Sequence, residues 1–175
     1  MEENSFDPIA ILPRTLGLSE EVERERRALL VLRAGAHLIG VFADEARSVS
    51  EDCKLTSLPY APPTVLGVAC IRGRMHTVLD PALLLRAPDD KHEKPGRPSS
   101  QIYFIAINGD EQLALKVDEV RGVIELLPED VLPLDHAGRV VQGVIQNENN
   151  LIVVLNQAEL FDAAMQGSER RRKRT

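Results

Sequence analysis

Apolar and polar positions along this chain fall into short blocks with little sustained helical period. ALLVLRA (28–34) and HLIGVFA (37–43) flank a turn at Gly35, and VLGVACI (65–71) and MHTVL (75–79) flank Arg-Gly-Arg. Farther on, IYFIAIN (102–108) and QLALKV (112–117) flank Asn108-Gly109, and VQGVIQ (141–146) and LIVVL (151–155) flank NENN. Blocks of this length, rich in aliphatic and β-branched residues and punctuated by turn formers, read as strands joined in hairpins. Asn-Gly is a strong hairpin signal because both residues tolerate positive φ. Shorter strands are expected around Arg47–Ser50 and Val123–Leu127, each followed by polar, Pro-containing links. Helical segments are expected at Pro81–Leu85 and Gln157–Met165, and over SEEVERERRA (19–28), where Ser19 can cap and Glu20 and Glu21 suit the first turn.

The blocks repeat. At an offset of 74, GAHLIGVFADEARSV (35–49) faces GDEQLALKVDEVRGV (109–123), with Gly35/Gly109, Asp44/Asp118, Glu45/Glu119, Arg47/Arg121 and Val49/Val123 identical. The same offset lays Leu58-Pro59 on Leu132-Pro133. At an offset of 76, VLGVACIRGRMHTVLDPALLL (65–85) faces VQGVIQNENNLIVVLNQAELF (141–161), with Gly67/Gly143, Val68/Val144, Val78/Val154 and Leu79/Leu155 among the matches. Collinear matches across most of the chain indicate a duplicated unit of roughly 65 residues.

Five short strands per unit are too few for a two-sheet sandwich and suggest a small closed barrel, since closure removes exposed edges. One such barrel is marginal alone, so two packed together are expected. The expected architecture is all-β: two packed five-stranded barrels, over about 28–85 and 101–161, within a domain spanning 28–165. A short helix lies in the extension 1–27, a helix follows the second barrel, and 166–175 forms a basic, disordered tail. RAPDDKHEKPGRPSS (86–100), charged and rich in Pro and Ser, is the expected linker between the halves.

Composition narrows the function classes. The 43% apolar content suits a packed core, and collagen, coiled coil and disulfide scaffold are excluded. The longest apolar run, Val65–Ile71, is far short of a membrane span, and the acidic N-terminus is unlike a signal peptide. Cys53 and Cys70 lack CxxC spacing and read as two buried or idle thiols in a reducing compartment, so a cytoplasmic location is expected. The 27 acidic residues outnumber 21 basic ones, and five of the basic ones sit at 170–174. Residues 1–169 therefore hold 16 basic and 27 acidic residues, a net of −11. Such a body repels phosphates, so no nucleic-acid partner is expected.

No catalytic constellation is visible. His37, His76, His92 and His136 fall in separate segments without HxxxH or HExxH spacing, so no metal is expected. GxSxG, Walker and GxGxxG motifs are missing, and with them any expected cofactor. Asp80, opposite Asn156 in the repeat, reads as a helix cap. Six scattered aromatics give no base-stacking platform. An enzyme is not expected.

GVACIRGRMHTVLDPALLL (67–85), preceded by LPYAPPTVL (58–66), resembles the signature of the CheW-like family, as do ALKVDEVRGV (114–123) and the pair VVQGVI and LIVVLN farther on. The resemblance spans about 28–165 and implies two SH3-like barrels. It also implies a non-enzymatic adaptor that joins the cytoplasmic tips of chemoreceptors to the regulatory domain of a CheA-type histidine kinase. By that resemblance Arg72 maps to the receptor-side groove, with Gly67, Val68 and Ala46 at neighbouring positions. Ser48 stands where many relatives carry an acid close to this arginine, which leaves Glu45 and Asp44 as candidate partners for Arg72. A non-flagellar chemosensory adaptor and a stand-alone binding barrel are the alternatives.

Overall fold

The computed structural model describes residues 25–86, 101–135 and 138–172, with side chains as far as Gln166. Ser19 and most of its expected helix, the segment 87–100, His92, His136 and the last three residues lie outside the described residues.

The fold is mostly β. Strands run at β1 (Arg27–Ala34), β2 (His37–Phe42), β3 (Ala46–Glu51), β4 (Leu55–Thr56), β5 (Val65–Ile71) and β6 (Arg74–Leu79). After helix α1 (Pro81–Leu84) come β7 (Tyr103–Ile107), β8 (Leu113–Val117), β9 (Glu119–Leu126), β10 (Val141–Asn147) and β11 (Asn150–Leu155), then helix α2 (Leu160–Arg172). Arg27 and Ala28 open a strand rather than close a helix. α2 continues past Met165 into the segment expected to be disordered; Glu and Arg are good helix formers and extend it. Asn108-Gly109 does not make a two-residue turn, because the connection runs from Asn108 to Gln112.

The pairing departs from the expected arrangement of one barrel per half. One sheet has the order β10-β11-β2-β1-β9 and the other β3-β7-β8-β6-β5-β4. Each sheet therefore takes its leading hairpin, β1–β2 or β7–β8, from one half of the chain and its other strands from the opposite half. In both, the hairpin is joined on one side by an antiparallel ladder (β1 with β9, β7 with β3) and on the other by a parallel one (β2 with β11, β8 with β6). Neither order closes on itself among the described residues. The second sheet has six strands where five were expected, because β4 pairs with β5; its counterpart in the first sheet is a single bridge, Leu132 to Val144.

Burial accounts for the exchange. Leu29 and Val31 of β1 face a core inside the first sheet with Phe42, Leu126, Ile145, Ile152 and Val154. Leu30, Leu32 and Ala34 face the opposite way, into a core shared with Ile105, Ile107, Leu113 and Leu115 of the second sheet. β7 behaves alike: Phe104 and Ala106 face the interior of their own sheet, Ile105 and Ile107 the shared core. Burial on both faces is why these strands read as continuous apolar runs instead of alternating ones. Leu160 and Ala164 of α2 cap the shared core. α1 starts as expected: Asp80 accepts from the Ala82 amide at 2.9 Å, and Pro81 occupies the first turn.

The duplication extends to irregularities. Register shifts fall at Arg47 in β3 and Arg121 in β9, and between Val65 and Gly67 and between Val141 and Gly143. A β-bulge inserts one residue and re-aims side chains. At the second pair the chain passes close overhead. A Cβ on Gly67 would lie 2.1 Å from the Thr56 carbonyl oxygen, and one on Gly143 would lie 2.5 Å from that of Leu132. Gly67 also has φ +147, where other residues are strained. Gly67→Ala is expected to lose at least about 2 kcal/mol of unfolding free energy in urea titration, with Gly143→Ala following in the same direction. A loss below a few tenths at both would show that neither glycine is required by the crossing strand.

Candidate functional site

Arg72 and Gly73 form the two-residue turn between β5 and β6, with φ of 49° and 77°. Positive φ at both positions matches the twist of a hairpin, but Asn or Gly is the usual occupant and Arg is a costly one. Beside this turn runs β3, whose bulge re-aims Arg47. The two elements enclose an open surface depression of ≈ 250 Å³ lined by Arg47, Ser48, Ile71, Arg72, Arg74 and His76.

Three of these six residues are arginines, and none of the three has a carboxylate within 4.0 Å among the described residues. The candidate acids are engaged elsewhere. One terminal nitrogen of Arg27 lies 2.9 Å from both carboxylate oxygens of Asp44 and 3.7 Å from Glu45, and its guanidinium stacks 3.6 Å over the Phe42 ring. Neither Asp44 nor Glu45 therefore serves Arg72. Burial is the main cause that raises the pKa of Glu45, with Asp44 adding to it and Arg27 opposing.

His76 is buried, 2% exposed. Its Nδ1 lies 3.0 Å from the Arg74 carbonyl, which can only accept, so Nδ1 carries the proton. Nε2 is buried without a partner among the described residues. A buried polar atom left so costs about 1–3 kcal/mol. The repeat places buried Ile152 at this position, so an apolar side chain meets the packing requirement and the imidazole is an addition.

Of the other expected site residues, Val68 is half-buried on the outer side of β5, paired with Thr56 and Thr77. Gly67 is buried under the crossing strand, and Ala46 packs against the shared core. The structure thus brings Arg72 together with Arg47 and Arg74, not with Gly67 or Ala46. Arg47 was not singled out from the sequence. Its signal was the match to Arg121, a charged residue repeated within a strand.

The first sheet has a corresponding depression of ≈ 210 Å³, lined by Arg121 and Gly122 of β9, Asn147 and Asn150 of the β10–β11 hairpin, and Val31, Leu38, Val123, Ile124 and Ile152. Here Arg121 lies 3.3 Å from Glu119, which also accepts from Arg33 at 2.9 Å. Among the described residues no group of three or more His, Cys, Asp or Glu could hold a metal ion, and no helix is long and apolar enough to cross a membrane.

The raised pKa of Glu45 carries a sign. The folded protein binds this proton more tightly than the unfolded chain, so Glu45 adds stability below its ordinary pKa. That contribution is lost as pH rises through the higher folded value. Between about pH 4 and 7, the stability of Glu45→Gln relative to wild type is expected to improve as pH rises. A pH-independent difference in chemical denaturation would contradict this.

Known proteins share this architecture. The chain matches the CheW-like domain over residues 47–165, a stretch that begins at the bulge residue Arg47. Protein FrzA of Myxococcus xanthus is 29% identical over 149 residues, covering 82% of this chain and 90% of FrzA. The crystal structure of scaffolding protein TtCheW from Thermoanaerobacter tengcongensis superposes with a TM-score of 0.61 at 20% identity, over 75% of this chain and 90% of that one. At that identity the likeness is one of fold. With the family match covering more than half its length, the chain belongs to the CheW-like domain family.

Proposed function

We propose that this protein is a non-enzymatic cytoplasmic adaptor that joins chemoreceptor cytoplasmic tips to the regulatory domain of a CheA-type histidine kinase. The observation that carries this reading is the family match over 47–165, laid on a fold with two pseudo-equivalent sheets. The finer architectural expectation, two SH3-like barrels, belongs to the same reading: each sheet with its interior core acts as one barrel-like unit. Two such units give an adaptor two presenting surfaces, and modest contacts add through high effective concentration in an assembly.

Arg72 is the residue assigned to the partner surface, with Val68 farther along the same hairpin. Gly67 and Ala46 act through shape, one by admitting the crossing strand and the other by packing β3 onto the core. Capture from the native host's cytoplasm on immobilised full-length protein is expected to recover a CheA-type kinase and chemoreceptors. Arg72→Glu is expected to remain folded by circular dichroism and to bind at least about tenfold more weakly. Recovery of neither protein class would remove the adaptor function while leaving the fold assignment in place.

A further inference from the structure

The two depressions occupy equivalent positions, each where a hairpin turn meets a bulged edge strand, yet their chemistry has diverged. Arg47 matches Arg121, Ser48 matches Gly122, Arg72 matches Glu148, Arg74 matches Asn150, and His76 matches Ile152. In the first sheet the lone arginine is neutralised by Glu119 and the turn carries an acid. In the second sheet three arginines line one small depression, and none of them has an acid within salt-bridge range among the described residues. Like charges gathered this way repel one another, and they do so in a body whose residues 1–169 carry a net charge of −11. One of them, Arg72, also occupies a positive-φ position where Asn would sit more easily.

We infer that the depression formed by Arg47, Arg72 and Arg74 is a seat for a carboxylate side chain presented by a partner protein. The inference rests on the adaptor reading and specifies the chemistry of one contact. Guanidinium groups on two separate elements can take both oxygens of one carboxylate in forked, charge-assisted bonds. Ser48 lines the same wall with a hydroxyl. A polyanion such as RNA is a poor occupant, because the acidic body around so small a cationic patch repels extended phosphate chains. A single Asp or Glu on a protein surface meets the patch without that repulsion.

The test is a two-dimensional amide NMR titration of the full-length ¹⁵N-labelled protein with a capped Gly-Gly-Glu-Gly-Gly peptide, which carries one carboxylate, and separately with inorganic phosphate at equal ionic strength. The peptide is expected to shift the amides of Ser48, Gly73 and Arg74, to leave those of Gly122 and Asn149 in place, and to weaken as salt is added. Arg72→Asn combined with Arg74→Asn supplies a residue suited to the turn and one found at the equivalent position 150. This double variant is expected to keep the dispersed spectrum and lose at least about tenfold in peptide affinity. Unshifted amides at millimolar peptide, equal shifts at Gly122 and Asn149, or stronger shifts with phosphate would each overturn the inference. Capture of the kinase and receptors with no peptide response would overturn the carboxylate seat alone. A specific peptide response without such capture would support the seat and overturn the adaptor reading.

Discussion

Two hairpins, β1–β2 and β7–β8, have apolar side chains on both faces, and the rest of the structure covers those four faces. One face of each is covered by the opposite hairpin, which creates the shared core of Leu30, Leu32, Ile39, Ile105 and Leu115. The other face needs a curled sheet around it, and the strands that supply that curl come from the other half of the chain. At roughly 25 cal/mol per Å² of apolar surface removed from water, a strand buried on both faces gains about twice what a solvent-facing strand does. The halves are therefore interlocked rather than merely adjacent.

Much of this was legible in the sequence, and the parts that were not have physical reasons. The blocks around Leu30, Ile39, Val68, Val78, Ile105 and Val153 become the strands expected of them, since local apolar patterning and turn residues set strand existence. The exchange of hairpins was not legible. β2 offers the same edge to β6 and to β11, and the choice is made by packing between elements far apart in sequence. The expected turn at Asn108-Gly109 fails for a similar reason. The connection reaches out so that Asn108 can hydrogen-bond to the Asp44 and Glu45 carbonyls and accept from Gln157, and those contacts override the local preference.

The site divides along the same line. The turn position of Arg72 could be read from Arg-Gly-Arg between two strands, because a hairpin tip is a local feature, while its place at a partner surface comes from the family resemblance. Arg47 could not, because its orientation depends on a bulge visible only when β3 is paired with β7. The family motif sets Gly67 near Arg72, whereas its surroundings show a glycine required by a carbonyl overhead. Duplicated backbone devices hold both depressions open in the same way. The side chains at matched positions set one to attract anions and leave the other neutral, so pseudo-symmetry of shape coexists with asymmetry of charge.

The exchanged hairpins also set an order of events during synthesis. The second sheet needs nothing beyond Val117 and can assemble while the chain is still being made. The first sheet cannot, because β1–β2 must wait for β9, β10 and finally β11, which ends at Leu155. Throughout that interval a hairpin with two apolar faces has at most one of them covered. Sequence-distant pairings of this kind are slow to form and expose sticky surface meanwhile. The nascent chain is therefore most vulnerable to aggregation at its first strands, long after the ribosome has finished making them.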